Sequence, residues 1–135
     1  MRKYDIYIET HKKNERYNSI VDIARFLKID KRTQEVSLAV AWSGDNVFYS
    51  VLGIGNSQSL ADNTKQIAQF AILSNADKVA VLHNHPTEIA EASESDLKHL
   101  ENLRRIFDIL EIDLVSDIIL SYDGSYVDLI GGKDD

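Results

Sequence analysis

A short apolar run that ends at two histidines and the only proline of the chain constrains the fold more than any other segment. Val79 to Leu82 carries no polar residue, follows Asp77 and Lys78, and leads into His83-Asn84-His85-Pro86. A continuous apolar run of this length, bounded by charged residues and a proline, predicts a buried strand. Both histidines then lie at the C-terminal end of that strand, where open α/β sheets commonly place their functional residues.

The two histidines are spaced so that both can reach one ion. Side chains alternate along an extended segment, so residues separated by one position share a face. Downstream, Ser93 precedes an apolar stripe at helical spacing, which predicts a helix with Asp96 in its first turn. The stripe consists of Leu97, Leu100, Leu103, Ile106, Phe107 and Leu110. Two imidazoles and a carboxylate leave a tetrahedral zinc with one position open for water, as in catalytic zinc sites.

Each part of this pattern also has a simpler interpretation. A His-x-His pair recurs by chance at surfaces and in cores. Ser93 and Asp96 match a helix N-cap followed three positions later by an acidic residue, an arrangement that needs no metal. Taken alone, these two residues favour capping, although one residue can both cap a helix and take part in catalysis. The metal hypothesis depends on the combination of a buried strand, the fixed spacings and a helix start.

The motif resembles that of a known family. The string His-x-His-Pro, six residues, Ser, two residues, Asp is similar to the signature of the JAMM (JAB/MPN) metalloproteases, and Leu82 to Pro86 has the form typical of their RadC-like branch. Ser19 to Phe26 resembles the helix that opens RadC domains, Glu35 to Val40 their first core strand, and Ile118 to Leu129 their closing hairpin. The resemblance implies a single α/β domain of the JAB/MPN (cytidine-deaminase-like) type, with three layers in which helices flank a mixed β-sheet.

The resemblance also implies roles for single residues. His83, His85 and Asp96 match the zinc ligands of the family, so Zn²⁺ is the implied cofactor. Ser93 matches the serine that stabilises the oxyanion. Glu35 matches the upstream glutamate that accepts the proton of the water, although an exposed carboxylate at a strand end is its simpler interpretation. The implied function is a zinc-dependent metallopeptidase or isopeptidase, with a peptide or protein substrate and ubiquitin-like conjugates among the candidates.

Two segments depart from the pattern of the family. The loop 87–92 lacks the glycine and prolines that are usual there, and its glutamates together with Glu94 predict an acidic rim, for which ordinary solvated charge is the simpler account. Ser116-Asp117 stands where the family often has an Asp-His pair. Asp117 is either a hydrogen-bond partner for a zinc-bound histidine or a surface carboxylate at a strand start, and the sequence leaves both open.

The remaining pattern predicts one domain over 18–130, preceded by a strand and loop at 1–17 and followed by a frayed tail at 131–135. Tyr4, Ile6 and Ile8 alternate with polar residues and predict the first strand. The other predicted elements are a helix carrying Ile20, Ile23, Phe26 and Leu27 and capped by Asn18 or Ser19, a hairpin of Val36 to Trp42 with Val47 to Leu52, a helix carrying Ile67, Phe70, Ala71 and Leu73 and capped by Asp62 or Asn63, and a hairpin of Ile112 to Ser121 with Tyr126 to Ile130.

Charge and composition limit the classes of binding partner that we expect for this chain. A net charge of −7 argues against direct binding of nucleic acid, since that affinity depends on lysine and arginine neutralising phosphates. There is no apolar run that could span a bilayer and no signal-peptide pattern, so we expect a cytoplasmic protein without membrane contact. The absence of cysteine fits a reducing compartment. A homodimer is possible, and the sequence does not determine the oligomeric state.

Two other functional classes remain. RadC-like proteins are often labelled DNA repair proteins, but no helix-hairpin-helix segment that accompanies this label is recognised ahead of Ser19, so we expect the label to transfer poorly. The main alternative is a non-catalytic JAB/MPN interaction module in a DNA-repair or mobile-element context, although silent relatives tend to have lost ligands that this chain keeps. A metal-dependent nuclease would need a basic groove, which the acidic balance disfavours.

Overall fold

The structure of the chain is a computed structural model that describes residues 5–10, 20–32, 34–55, 63–86 and 91–130, with the backbone alone for 5–10 and 53–55. Within these ranges it contains six strands, three α-helices and one turn of 3-10 helix at Ile29–Lys31. The strands are β1 (Asp5–Thr10), β2 (Glu35–Ser43), β3 (Asn46–Gly55), β4 (Lys78–His85), β5 (Asp113–Ser121) and β6 (Tyr126–Asp128). The α-helices are α1 (Ile20–Phe26), α2 (Thr64–Leu73) and α3 (Glu94–Leu110).

The described strands form one mixed sheet in the order β1-β3-β2-β4-β5-β6. β4 pairs in parallel with β5, and the other neighbouring pairs are antiparallel. α3 forms the crossover between β4 and β5, because parallel neighbours need a connection that returns to the same end of the sheet. The predicted α/β fold with a mixed sheet is confirmed, and β4 lies inside the sheet with a partner on each side.

Helices cover both faces of the sheet and give it three layers. Even-numbered residues of β2, such as Leu38, pack on one face with α1, whereas odd-numbered residues, such as Ala39, pack on the other face with α2 and α3. All residues from Val36 to Ala41 and from Val79 to Leu82 are buried. The small side chains at the odd positions of β2 leave room for Phe70 of α2 and Phe107 of α3, which are both fully buried.

Three members of the predicted apolar stripes are exposed instead of packed. Phe26 is 49% exposed, Leu73 72% and Leu97 52%. Phe26 and Leu73 are the last residues of α1 and α2, and Leu97 lies in the first turn of α3. Each therefore lies at a helix end and is absent from the two clusters of packed core residues, so the prediction that they belong to the packed stripes was wrong.

Most element boundaries follow the predicted pattern. β1 agrees with the alternation at the N-terminus, β3 is longer than predicted, and β6 ends at Asp128 rather than at Ile130. The predicted caps at Asn18, Ser19 and Asp62, part of the loop 87–92 and the tail 131–135 lie outside the described residues. None of the helices in the described ranges is both long enough and apolar enough to cross a membrane.

Candidate metal centre

β4 brings His83 and His85 to one face of the sheet. The preceding odd positions of the strand, Val79 and Val81, pack in the core beneath α2 and α3. Continued alternation places both imidazoles on the same side, with their ring centroids 5.2 Å apart and their planes tilted by 52°. His83 is paired on both sides, with Ser37 of β2 and Ile119 of β5, and His85 is paired with Ser121 of β5. The imidazoles therefore project from rigid backbone.

Asp96 reaches the histidines from the first turn of α3. Ser93 is the N-cap of this helix, and its Oγ accepts a hydrogen bond from the backbone N–H of Asp96 at 3.1 Å. In return, Asp96 Oδ2 accepts one from the backbone N–H of Ser93 at 2.9 Å. The capping interpretation of these two residues is confirmed. This capping box orients the carboxylate without a metal, and the same carboxylate faces both imidazoles.

The three side chains bring their donor atoms close together. Asp96 Oδ1 lies 3.1 Å from His83 Nε2, and Asp96 Oδ2 lies 3.6 Å from His85 Nε2. Donors at bonds of about 2.1 Å around a tetrahedral zinc lie about 3.4 Å apart, which falls between these two distances. The ligand atoms of all three residues lie within 4.8 Å of one another, and no other such group occurs in the described part of the chain. The donor set therefore fits a divalent metal and suits zinc.

The electrostatics of Asp96 favour a cation at this point. Burial raises the pKa of its carboxyl, but hydrogen bonds from His83, His85 and the backbone of Ser93 outweigh burial and hold the pKa well below its usual range. The carboxylate is consequently ionised at neutral pH. This is the protonation state in which a carboxylate binds a metal.

Glu35 lies at the head of β2 on the face that carries the histidines. It is two residues before Ser37, which pairs with His83, and alternation puts both β2 residues on the same side. Its side chain is partly buried, which differs from the exposed strand-end carboxylate of the simpler interpretation. The general-base role of Glu35 stays a prediction.

Ser93 is exposed at the start of α3, with its Oγ 3.3 Å from Ser95 Oγ. A hydroxyl has one donor and two acceptor positions. Ser93 can therefore accept the cap bond and still donate its own proton to another group. Its predicted role toward an oxyanion is compatible with capping and stays a prediction.

The cap itself can be tested on stability. We expect Ser93→Ala to lower the free energy of unfolding by about 1 kcal/mol, because the N–H of Asp96 loses its partner. Ser95→Ala, which removes the same group from the second residue of α3, should change it by less than about 0.5 kcal/mol. Urea unfolding of both variants measures the difference. Equal stabilities for the two variants would show that the cap contributes nothing.

A line of polar side chains that the sequence did not reveal runs beside the ligands. His99 Nε2 lies 2.9 Å from Asn63 Oδ1, and Asn63 Nδ2 donates to Ser37 Oγ at 2.9 Å. Asn63 occupies the predicted N-cap position of α2 but makes no side-chain cap bond, because its amide is used here. The prediction that Asp62 or Asn63 caps α2 is confirmed for the position of Asn63, which is the N-cap residue, although its side chain makes no cap bond. Since the Asn63 oxygen can only accept, His99 Nε2 carries the proton in this arrangement.

Asp117 is buried beneath α3 and is not a surface carboxylate. It is 2% exposed and pairs with Val81 of β4, and its backbone N–H donates to Asp128 Oδ1 at 3.2 Å. Burial raises the pKa of its carboxyl to about 7, against the opposing effect of His83. The surface interpretation was wrong. The alternative role, as a partner of a metal-bound histidine, stays a prediction.

Asp117 and His99 predict opposite pH dependences of stability. Folding raises the pKa of Asp117 from 3.8 to about 7, so the native state binds the extra proton and the free energy of unfolding falls as pH rises between those values. Burial lowers the pKa of His99 from 6.5 to about 4, so the native state binds fewer protons and the free energy of unfolding rises over nearly the same range.

In protein stripped of metal, these two effects should largely cancel. We expect Asp117→Asn to gain about 2 kcal/mol in unfolding free energy, relative to wild type, as pH rises from about 4.5 to about 6.5. His99→Gln should show the reverse trend. Urea titrations at several pH values measure both slopes, and parallel profiles for the two variants would contradict the assignment.

Asn84 lies between the two histidines and is a second feature that the sequence interpretation missed. It is 1% exposed, its Oδ1 accepts from the backbone N–H of Val36 at 2.6 Å, and its Nδ2 donates to the carbonyls of Gln34 at 3.0 Å and Ile29 at 3.4 Å. Alternation already places this residue on the face opposite the histidines, and a buried amide there needs polar partners. The identity of those distant partners has no local signal.

Comparison with known proteins gives one consistent result. The family model of the RadC-like JAB domain matches residues 17–132. A UPF0758 protein of Clostridioides difficile is 31% identical over 108 residues, which are 78% of this chain and 43% of that protein. A UPF0758 protein of Aquifex aeolicus is 29% identical over 100 residues, 73% of this chain and 43% of that protein.

A third UPF0758 protein, from a Marinomonas species, is 30% identical over 81 residues, 60% of this chain and 36% of that protein. This chain thus spans less than half the length of each of these three curated relatives.

Proposed function

Because this chain belongs to the RadC-like JAB domain family, we propose that it is a zinc-dependent hydrolase of peptide or isopeptide bonds. The observation that carries the proposal is the convergence of His83, His85 and Asp96 at the C-terminal end of β4, with ligand atoms within 4.8 Å of one another. Three protein ligands are the number that a catalytic zinc site uses, because the fourth position is left for water.

In this proposal, His83 Nε2, His85 Nε2 and the carboxylate of Asp96 hold Zn²⁺. When bound, zinc lowers the pKa of a coordinated water to about 7 and polarises a carbonyl oxygen. The residues support this assignment in two ways. Asp96 is ionised before any metal arrives, and its capping box with Ser93 holds the carboxylate in the orientation that faces both imidazoles.

Glu35 and Ser93 complete the proposed chemistry. Glu35 takes a proton from the water as the water oxygen bonds to the scissile carbonyl carbon, and it delivers that proton to the leaving amine as the C–N bond breaks. Ser93 donates a hydrogen bond from its hydroxyl to the oxyanion, a contact commonly worth about 3 kcal/mol in the transition state. Its position at the exposed start of α3 leaves this donor accessible to substrate.

The charge around the site favours a polypeptide substrate over nucleic acid. Glu91 and Glu94 are exposed on either side of Ser93, and the whole chain carries a net charge of −7. Carboxylates at the rim repel phosphates and attract cationic groups. The substrate candidates are therefore unstructured peptides with lysine or arginine near the scissile bond, and isopeptide conjugates of ubiquitin-like proteins.

The test is hydrolysis by the zinc-loaded chain of a panel of basic peptides, acidic peptides and isopeptide conjugates. We expect cleavage of at least one member, inhibition by a chelator and recovery on adding zinc. Asp96→Asn should abolish the activity, whereas Asp108→Asn, the same change at an exposed position of α3, should leave it intact. Cleavage that persists in Asp96→Asn would contradict the proposal.

A non-catalytic interaction module is the second candidate, and one observation favours it. The capping box satisfies Ser93 and Asp96 without a metal, so these residues have a structural reason to be present in a silent domain. This candidate predicts that zinc, if bound, supports no hydrolysis of any panel member. Chelator-sensitive cleavage would exclude it.

A further inference from the structure

We propose that Asn84 is a positioning residue that fixes Glu35 relative to the metal ligands. The inference rests on the proposed function, because it concerns the geometry between the general base and the metal site. Asn84 occupies the one position between His83 and His85, so any movement of its backbone also moves both imidazoles. Its side chain bonds to the segment that carries Glu35.

The backbone pairing between β2 and β4 ends two residues after Glu35. Pairing between β2 and β4 runs from Trp42 opposite Lys78 to Ser37 opposite His83. One residue further toward the site, the backbone N–H of Val36 bonds to the side chain of Asn84 instead of to the main chain of β4. β4 meanwhile keeps its pairing with β5 as far as His85 opposite Ser121. At the end of β2 that carries Glu35, hydrogen bonds to the side-chain amide of Asn84 thus replace the backbone pairing with β4.

The side-chain amide of Asn84 bonds to both sequence neighbours of Glu35. Its oxygen accepts from the N–H of Val36, and its NH₂ group donates to the carbonyl of Gln34. These two groups belong to the residues immediately before and after Glu35. One side chain thus binds the main chain on each side of Glu35. The backbone of Glu35 is therefore held from both sides.

Asn84 is buried, and its hydrogen bonds require the amide group of asparagine. Asn84 is 1% exposed and its bond to Val36 is buried, so water does not compete for that bond, whereas the bond to Gln34 is partly buried. To bond to both Val36 and Gln34, the side chain needs a donor and an acceptor at the same distance from its backbone. Aspartate lacks the donor, and alanine lacks both groups. A third bond, to the carbonyl of Ile29 at 3.4 Å, ties the 3-10 turn to the same amide. Loss of Asn84 would leave buried backbone groups unsatisfied beside Glu35, so we expect that segment to shift.

The experiment uses the full chain loaded with Co²⁺, whose visible absorption reports the metal environment. The quantity measured is the pH midpoint of that absorption in wild type, Asn84→Ala, Glu35→Gln and the double variant. We expect Asn84→Ala to bind cobalt with the stoichiometry of wild type and to move the midpoint by about half a pH unit or more, in the same direction as Glu35→Gln. In the Glu35→Gln background, Asn84→Ala should cause no further movement.

Three outcomes in the Asn84→Ala variants would overturn the inference while the metal site of the wild-type chain stands. The first is an unchanged midpoint in Asn84→Ala. The second is an equal displacement with and without Glu35, which would mean that Asn84 acts on the ligands themselves. The third is loss of cobalt from Asn84→Ala, whether residue 35 is glutamate or glutamine. If Asn84→Ala does not fold, Asn84→Ser replaces it under the same criteria, because a hydroxyl can satisfy one of the partners.

Two controls separate this inference from the proposed function. Asn102→Ala makes the same chemical change on α3, where the amide bonds to Arg105 at 3.4 Å, and it should leave the midpoint unchanged. A wild-type chain that takes up no cobalt would overturn the proposed function and the inference with it. If the wild-type chain takes up cobalt but the four pH midpoints do not follow the expected pattern, only the inference is overturned.

Discussion

Replacing His85 by alanine should strip the purified chain of its metal. We expect wild-type protein, prepared without a histidine tag, to carry about one zinc per chain, and both His85→Ala and Asp96→Asn to carry almost none. Each variant removes one of three protein ligands, which should weaken binding by more than the roughly 10- to 100-fold that loss of a ligand's hydrogen-bond partner costs. Elemental mass spectrometry of the purified proteins measures the metal content.

The variants can be matched so that unfolding does not explain the result. Asp96→Asn keeps a side-chain oxygen for the backbone N–H of Ser93, so the start of α3 should survive while the ionised ligand is lost. Asp108→Asn, at an exposed position of the same helix, should keep its zinc. A wild-type chain that carries no metal and takes up none from added zinc would reduce Ser93 and Asp96 to a helix cap and favour the interaction module.

Glu35→Gln should separate metal binding from turnover. We expect this variant to keep about one zinc per chain and to lose hydrolysis by about 100- to 10,000-fold, because an amide of the same shape cannot take the proton of the water or return it to the leaving amine. The change removes no predicted metal ligand. The effect should therefore appear in kcat with metal content unaltered, a pattern that loss of a ligand cannot produce.

The measurement pairs the rate on a cleaved member of the substrate panel with zinc content in the same preparation. Glu101→Gln provides the control, since it makes the same substitution at an exposed position of α3. Turnover close to that of wild type in Glu35→Gln would remove this residue from the mechanism. Loss of zinc in Glu35→Gln would instead indicate that Glu35 helps to hold the metal.

The histidines and the capped start of α3 could be predicted because the residues that specify them lie within a short segment of the chain. The apolar run before His83 predicted β4, and the spacing from Ser93 to Asp96 predicted the start of α3. Helical periodicity identified which face of each helix is apolar, but it contains no information on where the sheet beneath ends. This is why Leu73 and Leu97 belong to the predicted stripes and are nevertheless exposed.

The parts that were missed depend on contacts between distant positions. Asn84 bonds to Val36 across 48 residues, and His99 bonds to Asn63 across 36. No local pattern identifies such partners, because each side chain also has an ordinary local interpretation. Asn63 illustrates this, since it stands where a helix cap is expected while its amide bonds to Ser37 instead. Sequence periodicity identifies the buried polar residue, and only the packed fold identifies what it binds.

The reciprocal hydrogen bonds between Ser93 and Asp96 also affect how related sequences should be compared. A relative without catalytic activity would still gain stability from both residues at the start of this helix, so selection for stability alone favours their retention. The two histidines have no comparable role in helix capping and would be free to drift. In a survey of homologues, retention of the serine and the aspartate is therefore weak evidence of an active enzyme, whereas retention of both histidines is the informative character.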